Sequence, residues 1–284
     1  MKELIKNLTP PILWNKLLYI KNYLYFLKYK ELIIKNIKLK DIHKGKRCFI
    51  LGSAPSIKEE DLRPLKNEIV FALNNFYVHE DFEEIISGDV PKYYVVAPIH
   101  PPQTEIEWKR WFEDMEKHVS KNTVMFFGLN NYAQNIKYLL EKYGLFNDHL
   151  IYWFYGGIHI DKNYIFDSKD LDISRMIWGA SSVSTYALII AIYMGFDKIY
   201  LLGIDHNYIC LEKEEDYRFY KNAVHQLNEE KRMKLKKSDL FFGTGKVFLE
   251  KELIAENIEK HIFNCSSKSL LNMFKKVSLK EILK

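Results

Sequence analysis

"SVSTYALIIAIYMGFDKIYLLGIDH", Ser182 to His206, decides how the rest of the chain is read. Almost every residue from Val183 to Met194 is apolar, so a helix here has no polar side to offer water and must be enclosed by a sheet and other helices. Gly195 stops it, and Lys198 to Leu202 then reads as a buried strand ending in Gly203 and Asp205. A buried helix feeding a buried strand is the repeating unit of an α/β domain with a parallel sheet.

The same alternation extends on both sides. Short apolar runs predict strands at Cys48 to Leu51, Ile69 to Leu73, Tyr93 to Ala97, Val124 to Phe127 and Leu150 to Phe154. Amphipathic runs predict helices at Glu105 to Val119, Asn131 to Tyr143, Glu212 to Lys236, Val247 to Lys260 and Lys268 to Lys276. The expected fold class is therefore α/β, a Rossmann-like, mostly parallel sheet with helices on both faces, spanning residues 46–284. A chain of 284 residues, 48% apolar and 28% charged, suits one such domain. The run at about 212–237 is highly charged around a thin apolar stripe of Tyr217, Tyr220, Val224 and Leu227, and is expected to project as a lid or a contact between copies in a homo-oligomer.

Charge sets the first 45 residues apart. Residues 1–48 hold twelve Lys or Arg against Glu3, Glu31 and Asp41, a charge of +9, whereas the whole chain is +5 and the remainder about −4. From Pro11, a residue suited to a helix start, the apolar positions Leu13, Trp14, Leu17, Leu18, Ile20, Tyr23, Leu24, Phe26 and Leu27 form a broad stripe, with Lys16, Lys21, Lys28 and Lys30 beside it. A basic amphipathic helix of this kind can lie on an anionic membrane surface; it can equally pack on the protein's own core with its lysines solvated. Nucleic acid is not an expected partner, since the remainder is acidic and no known reading motif is present. Cys48, Cys210 and Cys265 are too far apart for a zinc or disulfide pattern. With no spanning apolar run and no signal peptide, the expected location is the cytoplasm, peripheral on the inner membrane.

In open parallel sheets, ligands bind at the carboxyl ends of the strands, where loops diverge and helix amino ends present N–H groups. That rule selects several segments. In "RCFILGSAPSIKEEDL", Arg47 to Leu62, the strand breaks into Gly52, Ser53, Ala54, Pro55 and Ser56, a turn that can cradle a phosphate. Its plainer reading is a turn in which Ser56 caps a helix with Glu59 as its partner. Asn74 and Asn75 end the second strand, where carboxamides can read a base or ribose edge, though Asn is also a common turn residue. Gly179, Ala180, Ser181 and Ser182 precede the buried helix and form a second polar rim. Asp205 and His206 follow the late strand and can take a proton from a reacting hydroxyl; for Asp205 a cap or a loop ion pair is the alternative. "GTGK" at Gly243 to Lys246 lacks the flanking residues of a phosphate-cradling loop, and Asp170, Leu171, Asp172 is a weak metal-holding pattern.

Four stretches in order, "FILGSAPSIKEEDL", "VFALNNFYVHED", "GASSVSTYALIIAIYMGFDKIYLLGIDH" and "IFNCSSKSLLNMF", resemble the landmarks of the MptE-like domain, formerly DUF115. Their order and spacing also resemble the bacterial family 42 sialyltransferases, over about residues 46–277. The resemblance implies a Rossmann-like domain that binds a CMP-sugar without a metal. Gly52 to Ser56 would lie at the phosphates, Asn74 at the cytidine or ribose, and Asp205 near the reacting groups. It implies transfer of a sugar from the nucleotide donor to a glycan acceptor in bacterial surface polysaccharide synthesis, with no cofactor required. Two features depart from that pattern: Ser53 stands where those transferases carry Asn, and the His that serves as their base has no counterpart around Phe242 to Lys246. His206 and His225 are the substitutes. The MptE-like members imply an alternative, diphosphate transfer from ATP to a pterin-like alcohol with magnesium; a non-catalytic nucleotide-binding protein of the same fold is the third reading.

Overall fold

The computed structural model describes residues 10–211, 217–220 and 237–284. Among them, nine strands form a single sheet: β1 (Arg47–Leu51), β2 (Val70–Leu73), β3 (Lys92–Val96), β4 (Val124–Leu129), β5 (Ile151–Ile158), β6 (Met176–Trp178), β7 (Lys198–Leu202), β8 (His261–Asn264) and β9 (Lys275–Lys276). Their order is β6-β5-β4-β3-β2-β1-β7-β8-β9 and every pairing is parallel. The sheet is thus wholly rather than mostly parallel.

Strand period two divides the apolar side chains between two cores. Along β1, Cys48 and Ile50 join one core while Phe49 and Leu51 join the other. Among the described residues eight helices pack around the sheet: α1 (Pro11–Leu27), α2 (Lys30–Ile33), α3 (Phe82–Ile86), α4 (Glu105–His118), α5 (Ile136–Tyr143), α6 (Val183–Tyr193), α7 (Lys237–Asn257) and α8 (Leu279–Ile282). α6 lies in the first core, with every residue from Ser184 to Ala191 buried, as its apolar composition requires. α4 and α5 cover the opposite face. Thr104 opens α4 with a reciprocal capping box to Glu107, and Trp108, Trp111, Phe112 and Met115 form the buried stripe that follows.

All six expected strands are present; β6 and β9, of three and two residues, are too short to signal themselves, and β8 has only Ile262 and Phe263 as apolar residues. The helix expected at Lys268 to Lys276 is absent: that segment is turns leading into β9. Polar side chains there bind backbone in place of a helical ladder, Ser269 Oγ accepting from the Leu271 N–H and Asn264 Nδ2 donating to the Leu271 carbonyl. α7 begins at Lys237, ahead of the expected Val247, and takes in Gly243 to Lys246, so "GTGK" is helical rather than a loop. Most of the expected helix at Glu212 to Lys236 lies outside the described residues. Its described part, Tyr217 to Tyr220, does not project: Phe219 is buried and its N–H donates to the Ser53 carbonyl at 3.0 Å.

α1 runs antiparallel to β5. Asn15 reaches Asp161 at 3.4 Å, Asn22 Nδ2 donates to the Gly157 carbonyl at 2.7 Å, and Phe26 meets the Tyr155 ring edge-on. Farther along, buried Asn36 donates to the Trp153 and Ile173 carbonyls.

Candidate functional site

Strand order reverses beside β1, where the sheet grows through β2 on one side and through β7 on the other. Loops leaving the carboxyl ends of β1 and β7 must diverge, and a crevice opens between them. Two glycines allow the loops to start in contact. The Gly52 N–H donates to the Leu202 carbonyl at 2.8 Å and the Ala54 N–H to the Gly203 carbonyl at 2.9 Å. A Cβ on Gly52 would lie 2.3 Å from the Gly203 oxygen, and one on Gly203, whose φ is +60°, would lie 2.7 Å from the Gly52 oxygen. Neither position tolerates a side chain without moving backbone.

Above them is a cleft of about 600 Å³. It brings together Gly52, Ser53 and Ala54 after β1, Asn74 after β2, Gly179, Ala180, Ser181 and Ser182 before α6, and His206 after β7. Asn74 is held in the left-handed region at φ +47°, its carbonyl accepting from the Tyr94 hydroxyl at 2.5 Å. Its carboxamide makes no hydrogen bond to a described residue. Ser182 caps α6 by accepting from the Ser184 N–H, which leaves the Ser182 and Val183 N–H groups without a partner among the described residues.

Four of the residues selected from sequence do not line the cleft. Asp205 is 1% exposed, and its two oxygens accept from the Ser56 hydroxyl at 2.6 Å and the Ser56 N–H at 3.3 Å. Burial pushes its pKa up, against the opposing effect of those bonds. Asp205 and Ser56 are thus paired beneath the β1 turn, and neither the carboxylate nor the hydroxyl faces the cleft. Pro55 opens the short turn Pro55–Glu59 behind the lining. Asn75 is wholly buried: its Oδ1 accepts from Trp111 Nε1 at 2.5 Å and its Nδ2 donates to the Tyr220 hydroxyl at 2.9 Å. Both ends of that carboxamide are committed to packing α4 and Tyr217–Tyr220 together. His225 lies outside the described residues.

His206 closes one side of the cleft, also left-handed at φ +48°. Its Nε2 lies 3.2 Å from Ser184 Oγ on α6. Ser184 Oγ and Thr185 Oγ1 accept from Lys251 Nζ on α7 at 3.0 and 2.9 Å. Burial, then the cations of Lys251 and Arg218, hold the His206 pKa well below the ordinary imidazole value, so the ring is neutral. Lys251 is completely buried and its pKa falls to about 7, chiefly through burial, with Glu250 acting in the opposite direction. Glu250 Oε1 accepts from the Ser181 N–H at 2.8 Å and fixes the rim before α6, while its buried Oε2 has no hydrogen bond of good geometry among the described residues.

Arg218 adds a cation to the wall, its Nη1 donating to the Tyr208 hydroxyl at 2.8 Å with the guanidinium 5.4 Å from the Tyr208 ring. Trp108, Trp111 and Tyr186 supply apolar and aromatic surface. Sequence reasoning passed over Arg218, Ser184, Lys251 and Glu250. Only Lys251 left a trace, as a cation on a helix side that otherwise faces the core. Among the described residues no group of three or more His, Cys, Asp or Glu is placed to hold a metal ion. Asp170 accepts from the Tyr164 hydroxyl and Asp172 from Ser174, so that acidic triplet is engaged locally. All three cysteines are free.

No family model matches the chain, and no curated protein matches it. Among solved structures, the sialyltransferase CstII from Campylobacter jejuni in complex with the substrate analogue cytidine-5'-monophosphate is similar at 18% identity and a TM-score of 0.46, covering 83% of this chain and 86% of that one. The same enzyme with CMP-3FNeuAc is similar at 19% identity and a TM-score of 0.46, covering 82% and 86%. A CST-II variant in complex with CMP gives 20% identity and a TM-score of 0.49, covering 82% and 86%.

Proposed function

We propose that the chain is a glycosyltransferase that moves a sugar from a nucleotide donor, CMP-linked as the motif resemblance implies, to a hydroxyl of a glycan acceptor in bacterial surface polysaccharide synthesis. The observation that carries this reading is the convergence, around one cleft of about 600 Å³, of an anion-favouring rim and a neutral imidazole. Arg218 and the amino end of α6 favour the donor's phosphate, and the glycine pair lets backbone approach it closely. Asn74 offers a carboxamide donor and acceptor for a base or ribose edge.

In the transfer, the acceptor oxygen forms a bond to the anomeric carbon as the bond from that carbon to the phosphate oxygen breaks, and CMP leaves with the electron pair. His206 takes the acceptor proton on a ring nitrogen; its lowered pKa keeps that ring unprotonated at ordinary pH and makes it a weaker base than a free imidazole. Negative charge growing on the leaving phosphate is met by Arg218 and the Ser182 and Val183 N–H groups.

Thermal unfolding with CMP, CDP, UDP, ATP and GDP, each with and without magnesium, tests the reading. Stabilisation by CMP or CDP without metal, lost in Arg218→Gln, is the expected result, followed by release of CMP from a CMP-activated sugar. A magnesium-dependent response to ATP alone would replace the reading with diphosphate transfer. No response to any nucleotide would leave a non-catalytic protein.

A further inference from the structure

α1 turns two different faces to its surroundings. Asn15, Asn22 and Phe26 face β5, whereas Leu13, Leu17, Ile20, Leu24 and Leu27 face outward and are 42–59% exposed. Their spacing of four, three, four and three residues makes one straight apolar seam along the helix. Exposed Lys16 lies on one side of the seam and exposed Lys21 and Lys28 on the other.

Such a seam can meet a second copy of itself or a lipid surface, and charge decides between them. Pro11–Leu27 contains no Asp or Glu. Two copies packed seam to seam would bring lysine against lysine with no carboxylate to separate them, the reverse of what paired helices use at those flanking positions. An anionic headgroup layer matches the lysines, and the acyl boundary below it matches the Leu and Ile side chains. We infer that the outward seam of α1 lies in the interface of an anionic bilayer. Because Asn22 holds the Gly157 carbonyl while the adjacent Gly156 lines the cleft, the β5 end of the cleft stands beside the lipid surface.

The test is flotation of the full chain with vesicles of phosphatidylcholine alone or with phosphatidylglycerol added, at low and high salt, together with sedimentation of the protein by itself. Binding to the phosphatidylglycerol vesicles that weakens with salt is expected. The exposed triple variant K16Q/K21Q/K28Q should bind about a hundredfold more weakly, at about fivefold per lysine. The variant L17S/L24S should lose binding to both kinds of vesicle. Equal binding by K16Q/K21Q/K28Q and the parent would overturn the inference. So would an absence of vesicle binding, or a dimer that L17S/L24S converts to a monomer.

Discussion

Asp205→Ala and Asp205→Asn should behave very differently, and the difference tests whether this carboxylate is a strut or a base. Asp205 is 1% exposed and Ser56 3%, so neither can turn to water when the other is removed. In Asp205→Ala the Ser56 hydroxyl loses a charge-assisted bond of 2.6 Å and its N–H a longer one of 3.3 Å. Those are worth about 2 and about 1 kcal/mol, so the loss is about 3 kcal/mol. For a chain of this size that lowers Tm by roughly 5 °C. Asparagine can accept from the Ser56 N–H with its oxygen and donate to the Ser56 hydroxyl with its nitrogen, so its cost is about 1 kcal/mol. The folded pKa of Asp205 is raised, so the stability of its neutral form is full below the ordinary value of 3.8 and is lost as pH rises toward the folded value. Asparagine does not ionise, and its deficit against the parent should therefore shrink between about pH 4 and pH 7. Urea melts at those two pH values and a CMP-release assay supply the readouts. Asp205→Asn abolishing turnover while leaving CMP binding intact would refute the strut and restore Asp205 as the base.

Three further outcomes follow from the cleft. His206→Asn should keep CMP affinity within a few-fold while turnover falls by about 10² to 10⁴, and the parent's rate should hold steady below pH 6.5 because its imidazole stays neutral there; a fall at 6.5 would show a free titration. Lys251, at about 7 when folded and 10.5 when unfolded, makes the fold bind fewer protons between those values; stability contributed by this group should rise with pH across that window and the rise should vanish in Lys251→Met, as read by urea melts. Gly203→Ala, at φ +60° and with its Cβ 2.7 Å from the Gly52 oxygen, should cost about 2 to 3 kcal/mol and remove the thermal response to CMP, and an unchanged response would refute the glycine-pair account.

The parallel sheet was legible because strands buried on both faces read as unbroken apolar runs, and helices such as α6 can only exist inside such a structure. β6 and β9 were not, since a strand of two or three residues has no period to read, and β8, as long as β2, carries only Ile262 and Phe263 as apolar residues; they are strands because β5, β7 and β8 leave an edge for them. The turn after β1 was visible through Gly52, whereas Arg218 and Ser184 line the cleft, and buried Lys251 supports it from behind, from elements whose contacts are set by tertiary packing. Lys251 in particular is tolerated because two hydroxyls of α6 accept from it and Glu250 lies beside it.

Which member of each adjacent pair faces the cleft could not be extrapolated along the strand, and the reason is local. Side chains alternate faces only while the backbone stays extended. At the ends of β2 and β7 it does not: Asn74, Gly203 and His206 all take positive φ, at +47°, +60° and +48°. Each such residue rotates the following peptide and resets the alternation. Asn74 is thereby turned toward the cleft and Asn75 into the core beneath Trp111, while Asp205 is turned down onto Ser56 and His206 out against Ser184. Non-glycine residues in that region cost of order 1 kcal/mol each, so Asn74 and His206 are held there by what surrounds them, the Tyr94 hydroxyl on one carbonyl and Ser184 against one ring. Asp41 and Phe146 take the same conformation away from the cleft, so what sets Asn74 and His206 apart is their place beyond the ends of β2 and β7, where the turn decides which of two neighbours faces the cleft.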